Sequence, residues 1–585
     1  MAEADEKRAP RLDASDSKHS HDAGSKEAQH HEHRRVGVEF EIEVKQDGVK
    51  QVEAITSVWT NRAMVLTFVV IYVISFVDTL QQQITSNLAP YVTSSFNQHS
   101  LLATTNVMSG IIAGVTRLPL AKLIDIWGRV EGFSLMLFFC TLGLVLMAVC
   151  QNVETYAAAQ VFYWVGFNGM NYVIAVLVSD ATSVKNRSII FGLISTPYIA
   201  TTFAGPDAAQ QFYEHSNFRW AFGAFSIITL IISLPLIVIF VFYHMKAKKQ
   251  GIAPPRGSSG RNFSQSLIYY IREFDVIGTF LVVAGFALIL LPLTLAAQSL
   301  NRWKSAHIIA MIVLGVVVLI AFGIWEKFFA PVSFLPFRYM KDRTILGACI
   351  LSGSLFVSFY CWDIYFSSYL QVVHQLSIRD AGYVLNIYTL GACGISPIVG
   401  LIIRWTGKFK LLAMIAIPFT TLGTALLVHF RHPHTHLGYI IMCQIFIAFA
   451  GGTLVICQQI AVMAVVTHNE IAVVFALLGL FSSIGGSIGQ SIAGTIWTNS
   501  LLPLLEEHLP EASKQNATLI YGSLATQLSY QWGSPERDAI VKVYGIVQRR
   551  LAIAGSAVMP VAIISILVWE NIDVRGLKQT KGRVF

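Results

Sequence analysis

Three aspartates stand where a carboxylate is costly. Asp78 interrupts an apolar run that begins near Met64, and Gln81, Gln82 and Gln83 follow within a turn. Asp207 lies in TFAGPDAAQQF and Asp363 in FYCWDIYFSSYLQ. A charged side chain at mid-bilayer costs about 3 kcal/mol on insertion scales, so such groups face a bundle interior or a water-filled cavity. There a carboxyl can bind and release a proton as its solvation changes, or it can pair structurally; both uses are open for each of the three. Rings and amides accompany them. Trp362, Tyr365 and Tyr369 share one helical stripe, and Tyr163, Trp164, Asn168, Asn171 and Tyr172 mix both types in one run. Packing accounts for such a mixture, and so does a wide pocket for a bulky, uncharged, amide-rich ligand, with Gln81 and Gln82 in its wall.

Other chemistries find no support. The string GSSGRNFS at Gly257 lacks the glycine–lysine spacing of a phosphate-binding loop. No nucleophile–base constellation and no metal-ligand cluster stands inside the apolar runs. The seven cysteines all fall within those runs and form no CxxC pair, which argues against zinc and disulfides. The expectation is a protein that is not an enzyme, with no cofactor and no resident metal. Five histidines between His19 and His33 lie in a polar tail and read as solvated rather than metal-binding.

The elements that position these residues are membrane spans. The chain of 585 residues is 54% hydrophobic and only 13% charged, against about a quarter charged in soluble domains. Mean hydropathy is +0.57. Runs of bilayer length occur near 64–89, 101–121, 132–150, 155–180, 188–211, 218–243, 274–297, 306–325, 344–370, 381–403, 410–430, 437–466, 471–497 and 551–570. Fourteen spans put both termini on one side. With both inside, short inner loops hold sixteen Lys and Arg and short outer loops five, which satisfies the positive-inside rule. The charge of +8 therefore marks a membrane orientation and not a nucleic-acid partner. Residues 1–62 read as a disordered cytosolic tail without a signal peptide, 244–273 as a cytosolic loop, and 571–585 as a cytosolic tail. The segment 498–550 lies outside, where Asn516 is a glycosylation acceptor; the matching sequon at Asn186 lies inside and stays bare.

Two inner loops repeat. PLAKLIDIWGRVEG, from Pro119, places Asp125, Gly128 and Arg129 between spans 2 and 3; GLIIRWTGKFK places Gly400, Arg404, Gly407 and Lys408 between spans 10 and 11. Glycine permits a tight turn at each. The first resembles the loop signature of the major facilitator superfamily, G-x-x-x-D-x-x-G-R/K, with Ala121 in place of the first glycine. In the second, Arg404 stands where Asp125 stands, which suggests a latch of reversed charge. Arg117 is expected to pair with an acid such as Asp180. The repeat defines a register: span 9 corresponds to span 1, and Asp363 to Asp78. The fold class expected is an all-α multi-pass membrane protein. It has two six-helix halves, 63–243 and 344–570, and an inserted helix pair with its following loop, 274–343, giving 14 transmembrane helices.

Over roughly 60–575 the chain resembles the fungal siderophore–iron transporter family, the fourteen-helix branch of that superfamily. The resemblance rests on FVDTLQQQITSNLAPYVTSSF, RLPLAKLIDIWGR, SNFRWAFGAF and GSPERDAIVKVYGIVQRRLAIAG. It implies proton symport of ferric hydroxamate siderophores at the plasma membrane, or in an endosomal vesicle membrane, by a monomer. Iron then belongs to the cargo. A triacetylfusarinine-type ligand is one candidate. The outer segment, with helices near 517–530 and 535–550 before span 14, is expected to act as a lid through Tyr521, Tyr530, Trp532 and Tyr544. A fourteen-helix drug:proton antiporter is the alternative; of its GP-x-x-GG motif Gly205 and Pro206 remain, but Ala208 and Ala209 follow Asp207. A non-transporting nutrient receptor is another.

Overall fold

The computed structural model describes residues 54–55, 57–182, 184–252, 262–296, 302–331, 337–466 and 470–576. The histidine-bearing tail, most of the string at Gly257, the side chain of Asn186 and residues 577–585 lie outside the described residues. Lipid offers a backbone no hydrogen bonds, so a spanning chain must close its own. Accordingly, thirteen helices among the described residues are long and apolar enough to cross a membrane.

Spans 1 to 4 are Asn61–Ser95, Leu102–Ile126, Arg129–Val149 and Val153–Ala181. Span 6 is Phe218–Lys249. Span 5, the fourteenth run, is broken at Thr196 into Val184–Ser195 and Pro197–His215. Pro197 cannot donate a backbone bond, and the second piece carries Asp207, Gln210, Gln211 and Glu214. Spans 7 and 8 are Val276–Leu295 and Ala306–Ile324. Span 9 runs Arg343–Asp363 and resumes as Phe366–His374; span 10 runs Ile378–Leu385 and Ile387–Thr406. Spans 11 and 12 are Phe409–Phe430 and Leu437–Ala464. Side chains such as Val238, Phe242, Phe280, Val313 and Ile320 are exposed around the bundle, as a lipid-facing surface requires.

The end of the chain differs from the sequence expectation. Span 13 continues to His508, and span 14 begins at Pro535, running to Ala557 and on as Met559–Leu567. Much of 498–550 is therefore helix continuing the two spans. The reason is packing: Trp497, Leu501 and Leu505 are buried, as are Tyr544, Val547 and Leu551, and the Trp497 and Tyr544 rings meet at 5.3 Å. Ser534 caps the new start by accepting from Arg537 N. The true connector is 509–534, with short helices Ala517–Gly522 and Leu524–Ser529. The face bearing this connector is the connector face; the opposite one, where span 1 starts and span 14 ends, is the terminal face.

The two halves meet along an antiparallel seam between spans 2 and 13. A Cβ on Gly110 would lie 2.7 Å from Ser487 Oγ, one on Gly114 2.3 Å from Ser483 Cβ, and one on Gly494 2.9 Å from Ala103 Cβ. Small residues let the helices approach at one constant register. The inserted pair flanks this seam through span 7. Thr104 Oγ1 donates to Thr294 Oγ1 at 3.0 Å, and from the other half Ser491 and Thr495 donate to the Leu290 and Leu293 carbonyls at 2.9 and 3.0 Å.

The seam can be tested by overpacking, which costs about 1–3 kcal/mol. Gly114→Leu is expected to lower the melting temperature in detergent by several degrees. Gly323→Leu, on span 8 where a Cβ would meet nothing within 4 Å, is expected to leave it unchanged. Equal melting temperatures for both variants would contradict the close approach.

Candidate functional site

The three glutamines of span 1 are committed to neighbouring helices. Gln81 accepts from Tyr163 Oη at 2.6 Å and donates to Thr85 Oγ1 at 2.7 Å. Gln82 accepts from Tyr198 Oη at 2.7 Å. Gln83 packs against Gly205, where a Cβ would lie 2.4 Å from its own. These contacts fasten span 1 to spans 4 and 5, so Gln81 and Gln82 are tied up in structure rather than presented to a ligand. Asp78 is different. It is 2% exposed, and its Oδ2 has no hydrogen-bond partner; neither does Ser75 Oγ, one turn before it. Tyr163 and Tyr198, the donors to the flanking glutamines, are near enough to feel its charge. An ionised carboxylate here would be buried without a counter-charge, which is expensive. A protonated one has a donor to offer and little to lose. The arrangement can hold a proton.

Asp363 sits at the break of span 9, partly buried. Its charged neighbour is Arg431, although the two form no direct ion pair. Arg431 is fully buried. Its Nη1 donates to the Trp362 carbonyl and to Gln548 Oε1, both at 2.7 Å. Its guanidinium carbon lies 5.0 Å from the Trp362 ring centroid and 4.2 Å from that of Phe366. Breaking a helix frees carbonyls that lipid cannot satisfy; Arg431 takes up that of Trp362, and Gln548 donates at 3.1 Å to the Tyr365 carbonyl, which also accepts from Tyr369 N. Arg431 stands just past the end of span 11, in the outer turn that LVHFRHPHTH suggests; its burial beneath the broken span 9 is what the sequence did not show.

Asp207 is half exposed near the connector-face end of span 5, 3.9 Å from Arg379 of span 10. It bridges the two halves and is not a buried acid, because span 5 extends its polar second piece beyond the apolar core. Nearby, Arg379 N donates to Gln210 Oε1 at 3.1 Å, and the Phe203 and Tyr383 rings lie 5.8 Å apart. Tyr91 Oη donates to Gln371 Oε1 from span 1 to span 9. The halves are thus in contact at the connector face.

The aromatic candidates divide. Tyr163 is buried on Gln81. Trp164 donates to Gln160 Oε1 at 2.6 Å. Asn168 accepts from Arg117 Nη2 at 2.6 Å, Asn171 donates to the Phe167 carbonyl at 2.9 Å, and Tyr172 is buried. Trp362 faces a cavity among spans 9 to 12. Tyr365 does not; it stacks on Trp497 at 3.9 Å and donates to the Ser100 carbonyl at 3.1 Å. Tyr369 reaches the His432 carbonyl at 3.5 Å. Both belong to a network under the connector. In it Tyr544 donates to Gln527 Oε1 at 2.6 Å, Arg537 donates to the Gln527 and Val372 carbonyls, and Leu524 N donates to Ser94 Oγ at 3.1 Å. Fully buried, Tyr544 is an anchor and not a mobile lid residue. Tyr521 and Tyr530 are partly buried, and Trp532 is exposed. His99, Gln527, Arg537 and Gln548 were missed as buried polar groups: His99 stood in a loop between two spans, and the other three in short helices read as lying outside the membrane.

On the terminal face the first latch centres on Arg129, 2.9 Å from Asp125 and 3.1 Å from Asp180. Gly128 turns the chain into span 3 at φ 124, where a side chain is strained. Arg117 does not meet Asp180. It lies about two helical turns deeper than Asp125, between Asn168 and Gly479, where a Cβ would fall 2.2 Å from its Nη1. The second loop makes no reversed-charge latch. Arg404 is exposed without an ion pair among the described residues. Instead Gly407, at φ 71, accepts from Val574 N at 3.2 Å beside Lys408, and Lys410 donates to the Leu567 and Trp569 carbonyls. Bonds from Arg575 hold the Asp573 carboxyl down to about 2, so this contact stays charged at any physiological pH.

No group of three His, Cys, Asp or Glu among the described residues could hold a metal ion. Residues 71–490 match the Major Facilitator Superfamily. The chain is 51% identical over 540 residues to MFS siderochrome iron transporter 1 of Ajellomyces capsulatus, covering 92% of each. It is 43% identical to siderophore iron transporter mirB of Emericella nidulans, covering 92% of this chain and 89% of that one. Among solved structures, a bacterial homologue of the human lysosomal transporter Spinster, inward-facing and unoccupied, superposes with TM-score 0.52 at 14% identity, covering 87% of this chain and 98% of that one; it bears on the fold alone. The buried acid, the two halves joined along one seam and these relatives together place the chain in the siderophore–iron transporter family of the major facilitator superfamily, as a multi-pass membrane transporter and not an enzyme.

Proposed function

We propose that the chain imports ferric hydroxamate siderophores together with protons, across the plasma membrane, by alternating access. Kinship to siderochrome iron transporters supports the cargo, with a triacetylfusarinine-type ligand the first to try. Ligand and iron enter as one chelate. The observation that carries the coupling is Asp78, buried with an oxygen that nothing in the chain satisfies. Asp363, beside Arg431, is the second carrier to test. Orientation follows from the basic inner loops: the connector face is extracellular, both termini are cytosolic, and Tyr530 and Trp532 are the connector residues a ligand would meet first.

Proton carriage needs a titratable group, and asparagine keeps shape while losing titration. In a siderophore-uptake-deficient cell, Asp78→Asn is expected to abolish accumulation of labelled ferric triacetylfusarinine against a gradient, at least tenfold, while downhill exchange persists. Protonophore-sensitive accumulation by Asp78→Asn would move the proton elsewhere.

Asn516 is exposed on the connector. Glycosidase treatment is expected to shift the unmodified chain and Asn186→Gln on a gel but not Asn516→Gln. The reverse pattern would invert the orientation.

A further inference from the structure

Between spans 6 and 7, on the terminal face, stands the short helix Phe263–Glu273, FSQSLIYYIRE. At the helical period, Leu267 and Ile271, continued by Phe274, align down one side, with Ile268 and Tyr270 at its borders; Gln265, Tyr269 and Arg272 fall opposite. A helix of 11 residues is marginal in water by itself and depends on burying an apolar face. Protein covers one border of that face, where the Tyr270 ring meets Trp127 at 5.7 Å and stacks on Phe274 at 5.7 Å. The rest stays open: Leu267 and Ile268 are each 52% exposed and Ile271 38%.

What covers the open side follows from depth. Lys122, about one turn inside the end of span 2, donates from Nζ to the Glu273 carbonyl at 3.2 Å. Asp275, two residues on, is buried. It caps span 7 by accepting from Gly278 N at 3.1 Å, and it accepts at 2.9 Å from Trp325 Nε1, just past the end of span 8. These bonds pin the end of the short helix at the membrane's edge, where lipid is the surrounding medium. The chain runs on into Val276, Ile277 and Phe280, exposed on the lipid-facing surface of span 7. Arg272 is exposed on the polar side, and Lys248 and Lys249 are exposed at the end of span 6 on the same face. They supply the positive charge that a phosphate surface complements. Glu273, the one acid of the helix, is partly buried.

We propose that Phe263–Glu273 is a lipid-binding helix lying in the leaflet at the terminal face, with Leu267, Ile268 and Ile271 sunk into the acyl boundary and Arg272 level with the phospholipid phosphates. Helices of this kind bury their apolar side about 5–10 Å into that boundary. Through the Trp127–Tyr270 ring contact the leaflet is joined to the loop that carries Asp125 and Arg129, and so braces the first latch. The inference is independent of the cargo and of which side of the membrane the terminal face occupies.

The test is nitroxide depth on the full chain in vesicles of phosphatidylcholine and phosphatidylserine, with one label at Leu267→Cys and another at Gln265→Cys. The native cysteines are buried or, at Cys393, half-buried, and the unmodified chain carried through the same labelling gives the blank. At Leu267→Cys, relaxation by oxygen is expected to exceed relaxation by a water-soluble nickel complex about threefold, as for an apolar face below the headgroups; at Gln265→Cys the order is expected to reverse. Nickel relaxation at Leu267→Cys equal to that at Gln265→Cys overturns the proposal, since the face is then in water. Exclusion of both reagents from Leu267→Cys overturns it too, because another part of the chain or a second copy then covers the face.

Discussion

Inside a bilayer a polar group has no solvent to turn to, and every departure from straight, apolar helix must be satisfied by the protein itself. The details of this transporter follow from that constraint. Where span 9 breaks after Asp363, the Trp362 carbonyl is taken by Arg431 at the end of span 11, and Gln548 of span 14 adds a bond to the Tyr365 carbonyl. A break in one helix thereby recruits two others. Where span 1 carries three glutamines, two find tyrosine hydroxyls on spans 4 and 5 and the third packs against a glycine. Polar residues act here as fasteners between helices.

Against that background the exceptions stand out. Asp78 is a buried acid with an oxygen left free. The two halves share a helical plan and are specialised differently. The first buries a carboxyl at Asp78, and the second lines a void among spans 9 to 12 with aromatic rings. The seam of small residues between spans 2 and 13 is where the halves approach most closely among the pairs described above. Span 7 bonds both sides of that seam, so the inserted pair has to travel with one half or give up its bonds to the other.

The connector face shows how the outer end is held. A network of Arg537, Gln527, Tyr544, Tyr365 and Trp497 runs beneath residues 509–534 and ties them to spans 1, 9, 13 and 14. Opening this face for a large chelate means disturbing contacts that reach as far as the break in span 9, so the connector and the cavity wall at Trp362 are joined through Arg431.

Much was determined by the sequence alone, because the physics behind it is local. Hydrophobic length sets the number of spans, basic loops set an orientation, and the paired glycines Gly128 and Gly407 set two tight turns, both found at positive φ. The costly position of Asp78 was legible for the same reason. What only the tertiary structure decided are pairings between residues far apart in the chain. That Arg129 and not Arg117 takes Asp180, that Arg404 has no ion pair among the described residues, that Asp207 lies at an exposed end, and that Tyr544 is an anchor all depend on which helix lies opposite. Hydropathy also stops span 13 too early and starts span 14 too late, since their outer turns are amphipathic and hold together by packing on each other. The cavity is the clearest case: its walls come from four spans, and no periodicity within any one of them marks an empty space between them.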